Sequence, residues 1–145
     1  MRNETIRDDS RGDVRGNSDL AKMWMTVAGI ALLAAGVLGF IDNPLVGRNG
    51  LFTTDNVHNV VHIVSGLLAL YIALGLRGDA RANGTIGFGV LYAIVFLAVV
   101  VSPKLFGLFQ VPANSADHVL HAGLAVVSLA VGYMARDRAG NSATA

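Results

Sequence analysis

At 145 residues the chain is one domain's worth, and 53% hydrophobic against 14% charged residues leaves too little charge to cover a water-facing surface. A formal charge of +1 offers no footprint for nucleic acid or a strongly acidic partner, and the lack of cysteine excludes disulfides and thiolate metal sites. The mean hydropathy of +0.54 is carried by long unbroken apolar blocks and not by amphipathic spacing, which points to helices that meet lipid.

Residues 1–21 alternate basic and acidic groups without an apolar run, so we expect a disordered cytoplasmic tail and no cleavable signal peptide. The first predicted span covers 23–41, carries no charge, and is long enough to cross a hydrocarbon layer of about 30 Å as a helix. The second covers 56–76 and the third 85–101, both free of Asp, Glu, Lys and Arg. The fourth covers about 116–135; its apolar stretch begins only at His118, so its polar first turn belongs at the interface. Helix-start residues precede each: Ser18 and Asp19, Thr54 and Asp55, Asn83, and Asn114 with Ser115. Gly75, Gly78 and Gly84 bracket a tight turn that makes the second and third spans antiparallel neighbours. Residues 137–145 form a second cytoplasmic tail.

Arg2, Arg7, Arg11, Arg15 and Lys22 precede the first span, Arg77 and Arg81 lie between the second and third, and Arg136 and Arg138 follow the fourth. Only Arg48 and Lys104 lie in the two remaining loops. Lys and Arg collect on the cytoplasmic side, so we expect a multi-pass plasma-membrane protein with both termini inside and the two longer loops outside. That topology places Arg11-Gly12-Asp13, Asn3-Glu4-Thr5 and Asn83-Gly84-Thr85 inside, where they carry no adhesion or glycosylation function.

The chain repeats itself. A shift of 59 residues lays Pro44 on Pro103, His62 on His121 and Arg77 on Arg136, and a slightly smaller one lays Gly50-Leu51-Phe52 on Gly107-Leu108-Phe109. The expected fold is an all-α membrane four-helix bundle of two tandem hairpins. Each unit crosses the membrane twice, so a pseudo-twofold axis along the membrane normal should relate them.

All four histidines fall where the repeat is most polar. The second helix opens Asp55-Asn56-Val57-His58-Asn59-Val60-Val61-His62 and the fourth Asn114-Ser115-Ala116-Asp117-His118-Val119-Leu120-His121. His58 with His62, and His118 with His121, have the spacing that shares a helix face. The stretches His58-Asn59-Val60-Val61-His62 and Asp117-His118-Val119-Leu120-His121, each followed by an apolar helix rich in small residues, resemble the bacterial and archaeal membrane family called domain of unknown function 4383. The resemblance covers roughly residues 22–136 and implies a four-span membrane protein; it implies no activity.

The histidines admit three readings. If the second and fourth helices face each other, His58, His62, His118 and His121 form a metal site with Asp117 as a ligand or as the group that orients one. Such a nitrogen-rich set suits Zn²⁺ or Cu²⁺ better than Mg²⁺ or Ca²⁺. Alternatively the cluster is an interhelical hydrogen-bond clamp, with Asn59, Asp55 and Asn114 as further polar contacts, in a non-catalytic structural or accessory subunit. Asn114 and Asp117 also have capping-box spacing, which accounts for that carboxylate without chemistry. A third reading is b-type haem, with His62 and His121 as axial ligands.

The span centres read Val, Ala, Leu, Gly and Ile, with Thr26, Ser65, Tyr71, Tyr92 and Ser128 as the hydroxyls, which argues against a polar conduction path. Only Asp42, Asp55 and Asp117 supply carboxylates on the loop side, and no nucleophile stands out, so the residues point away from an enzyme. The expected partners are the bilayer and, through close contact along Ala31, Ala35 and Gly39, neighbouring helices, other membrane subunits or a second copy.

Overall fold

The computed structural model describes residues 2–102 and 112–142, with side chains described over 20–102 and 112–136. Pro103, Lys104 and Gly107-Leu108-Phe109 lie outside the described residues. Among those described there are four helices, α1 (Arg2–Leu38), α2 (Asn56–Gly75), α3 (Gly78–Val101) and α4 (Ser115–Ser142). Two strands of two residues, β1 (Val46–Gly47) and β2 (Phe52–Thr53), pair within the connection from α1 to α2. Each helix holds a stretch long and apolar enough to cross a membrane: Leu20–Leu38, Asn56–Gly75, Gly78–Val101 and Ser115–Arg136. The protein is a multi-pass membrane protein.

Element ends differ from expectation for identifiable reasons. The first span ends at Leu38, not at 41, because Asn43 turns the chain there. The Asn43 Nδ2 group donates to the carbonyls of Leu38, Ile41 and Val46 at 2.8, 2.7 and 2.9 Å, and its Oδ1 accepts from Leu45 N and Val46 N. Asn43 thereby satisfies carbonyls that a helix end leaves unpaired. At the other end, residues 2–19, expected to be a disordered tail, continue α1 as helix, an extension that needs no new nucleation. The third helix begins at Gly78, so Asn83 and Gly84 lie inside α3 and the turn reduces to Leu76 and Arg77. Gly78 takes φ +50°, a left-handed conformation that glycine adopts without strain. Arg81 sits in the first turns of α3, buried, and its guanidinium donates to the Leu76 carbonyl at 2.6 Å, closing the end of α2.

Helices α1 and α2 pack closely, as do α3 and α4; between these hairpins the main helix contact is α1 with α4, and α2 shares little surface with α3. Close packing within a hairpin depends on missing side chains. A Cβ on Gly66 would stand 2.9 Å from the Gly29 carbonyl, and one on Gly89 would stand 3.0 Å from the Ala125 carbonyl. Of the stripe expected to make this contact, Ala31, Ala35 and Gly39, Gly39 lies against Asn59 whereas Ala31 is exposed, and the buried glycines of α1 are Gly29 and Gly36.

The same contacts recur along the chain. Gly29 meets Gly66 and Leu70, and sixty residues on, Gly89 meets Ala125 and Leu129, the residues 59 beyond that pair. Burial recurs likewise on α2 and α4, with His58, His62, Ser65, Gly66, Ala69 and Ile72 answered by Asp117, His121, Leu124, Ala125, Ser128 and Val131.

The outer faces carry large apolar side chains, including Ile30, Val64, Leu74, Ile94 and Val126, each more than half exposed. This is the surface expected where lipid is the solvent. The core draws on all four helices through Met25, Leu32, Ile72, Phe88, Tyr92 and Leu124. It is bounded at the loop end by the histidines, where the Tyr92 and His121 rings lie 5.9 Å apart.

Candidate metal centre

Two helix caps position the site. Asp55 is the N-cap of α2, and its carboxylate accepts from His58 N at 2.9 Å, which fixes the start of the helix and turns His58 and His62, one turn apart, inward. On α4, Asn114 Oδ1 accepts from Ala116 N and Asp117 N while Asp117 Oδ2 accepts from Asn114 N at 2.8 Å. This is a reciprocal capping box. Asp117 Oδ2 also accepts from Thr53 N at 3.0 Å, and Asn114 Nδ2 donates to Leu51 O and Thr53 Oγ1 at 2.8 and 2.9 Å. The cap of the fourth helix is thus bolted to the β1–β2 loop of the other hairpin.

Between those caps His58, His62 and His121 converge. Their ring centroids are 4.4, 5.6 and 6.0 Å apart, and one nitrogen from each lies within 4.8 Å of the others. All three are at most 4% exposed. A cation held at about 2.0–2.1 Å by three nitrogens needs them about 3.3–3.6 Å apart, so a contraction of about an ångström would close the set. His58 Nδ1 lies 3.1 Å from the Pro112 carbonyl; as donor in that bond it leaves Nε2 for a ligand. His62 has both ring nitrogens buried and without a hydrogen-bond partner. Leaving a buried polar group unsatisfied costs about 1–3 kcal/mol, so nitrogens of this kind are either a liability or a reserved coordination site.

The remaining candidates lie elsewhere. His118 faces α3, where Phe96 meets its ring edge-on at 6.1 Å, and it does not join the three. Asp117 is buried beside the cluster with Oδ2 committed to two backbone amides, and Asp55 caps its own helix. Asn59 is fully buried and turns toward α1, its amide against Gly39, where any Cβ would overlap it.

Sequence reasoning missed the main-chain partners, Thr53 N and the Pro112 carbonyl, because a backbone group leaves no trace in residue identity. It also passed over Tyr92, whose hydroxyl donates to Ser65 Oγ at 2.9 Å, and Trp24, whose indole donates to Ser128 Oγ at 2.9 Å. The signal for both was the rarity of mid-span hydroxyls.

No curated protein and no solved structure matches the chain. A family model described as domain of unknown function (DUF4383) matches residues 22–134, the four spans with both histidine-bearing helix starts, and the chain belongs to that family.

Proposed function

We propose that this membrane protein binds a transition-metal ion, Zn²⁺ or Cu²⁺, at the loop end of its bundle through His58, His62 and His121. The observation that carries the reading is His62: both its nitrogens are buried and unpartnered beside two further imidazoles, one of them from the other hairpin. Three neutral imidazoles are a donor set for Zn²⁺ or Cu²⁺. Asp117 stands beside the ligands as a countercharge.

The structural alternative, a non-catalytic accessory protein in which the histidines are the interhelical clamp, is disfavoured by one specific observation. A clamp between the hairpins exists, but Asn114, Asp117 and Thr53 build it, which leaves the histidines to another role. Haem fits poorly, because the His58 ring lies beside both His62 and His121, where a macrocycle between those two would have to sit.

The test is metal analysis and melting of detergent-purified protein. Saturation with Zn²⁺ at about a hundredfold over Kd should stabilise the wild type by about 2.7 kcal/mol, and His62→Ala should abolish both the stoichiometric metal and that gain. Wild type that melts identically with Zn²⁺, Cu²⁺ or chelator would sink the proposal.

We further propose that the loop end faces outward, from the excess of Lys and Arg at the other end. In intact cells an impermeant thiol reagent should label Asn49→Cys and spare Asp79→Cys; the reverse pattern overturns this orientation.

A further inference from the structure

We infer that the loop end holds the headgroup of a phospholipid carrying a primary ammonium beside its phosphate, in a cavity separate from the histidine cluster. The cavity, of about 490 Å³, lies between the end of α1 and the start of α2, with Phe40, Ile41, Asp42, Arg48, Thr54 and Asp55 among its walls and none of the three histidines. That volume falls within the range of about 300–1,000 Å³ usual for small-molecule sites.

Depth selects a lipid over a solute. A hydrocarbon layer of about 30 Å is flanked by headgroups that bring the bilayer to about 40–45 Å, so residues just beyond the end of a span lie among headgroups. The first apolar span stops at Leu38 and the second begins at Asn56, and the cavity is walled by residues from 39 to 56. Phe40 and Ile41, each more than half exposed, carry the lipid-facing character of α1 onto that wall.

Charge selects the headgroup. The charged wall residues are Asp42, Asp55 and Arg48. Asp55 accepts from His58 N at the start of α2, where the positive end of the helix dipole offsets part of its charge. Asp42 and Arg48 are exposed, and neither makes an ion pair with another described residue, so one cavity presents a free charge of each sign. A lone anion there meets two carboxylates and a lone cation meets the guanidinium, whereas a zwitterion answers both. A primary ammonium also brings hydrogen-bond donors for the carboxylates and for the Thr54 hydroxyl, which is buried and without a partner. A quaternary ammonium brings none.

Full-length protein in detergent, titrated with short-chain phosphatidylethanolamine or phosphatidylcholine and followed by native mass spectrometry, tests this. Phosphatidylethanolamine should bind as one equivalent, about tenfold tighter than phosphatidylcholine, the effect of charge-assisted hydrogen bonds that only the first can make. Asp42→Asn, at an exposed loop position, should erase most of that preference, whereas Arg48→Gln, likewise exposed, should weaken both lipids alike by about threefold. Equal affinity for the two lipids in wild type overturns the proposal, and an undiminished preference in Asp42→Asn overturns the placement of the ammonium. Glycerophosphoethanolamine that binds as tightly as the lipid overturns the membrane as its source.

Discussion

The interface inside each hairpin and the interface between the hairpins solve the same problem by different physics. Helices in lipid gain nothing from leaving water, because the surrounding chains are as apolar as leucine; they associate by close packing and by hydrogen bonds. Inside the hairpins packing dominates: Gly29 lies against Gly66, Gly36 against Asn59 and Ile63, and Gly132 against Ala82 and Ile86, with backbones close enough that a methyl group would collide. Between the hairpins polar pairs take over, from Trp24 with Ser128 and Tyr92 with Ser65 in the core to Asn114 and Asp117 with the β1–β2 loop. The lesson is that the dry interface sets the two rigid units and the polar one sets how they meet. Histidines at the second interface sit where a ligand can alter that meeting.

The contrast is broken most severely at its dry side. Gly66→Leu drives a branched side chain into the Gly29 carbonyl and the α1 backbone, and should cost about 3 kcal/mol, the upper range for overpacking a tight contact. A melt in detergent measures it, and a loss below about 1 kcal/mol would show that α1 and α2 tolerate separation. On the polar side, Asp117→Ala removes the acceptor for two part-buried amides, Thr53 N and Asn114 N, and should cost about 2 kcal/mol. Hydrogen exchange should then rise at those two amides while the α1–α2 contact stays protected; exchange rising equally in both places would erase the distinction between the interfaces.

The spans were legible because twenty uncharged apolar residues have few soluble uses, and the third was drawn too short for a related reason. Asp79 and Arg81 seemed to end it, whereas a helix is free to run past the hydrocarbon, with Asp79 favourable in its first turn. The helix caps at Asp55 and Asn114 were readable from residue type and spacing. The convergence of His58, His62 and His121 was readable only as a consequence of facing helices, and the departure of His118 could not be read from its spacing. His118 and His121 share a helix flank at a spacing of three, but α4 borders both α3 and the bundle interior, and the two rings divide between them. The repeat hinted at this division, since His118 occupies the place of Asn59, which likewise turns toward its own hairpin partner.

The polar residues of the centre are confined to the opening turns of α2 and α4, and this bears on how the protein is made. Even so each segment is apolar, with mean hydropathy over an 18-residue stretch from 1.6 for the fourth to 2.4 for the third. Each span can therefore partition into the bilayer on its own, with its histidines still at the interface, where imidazole is readily hydrated. The ligand set exists only once both hairpins have met, since His58 and His62 come from α2 and His121 from α4. The cluster is thus a property of the finished bundle and never of a single inserting segment.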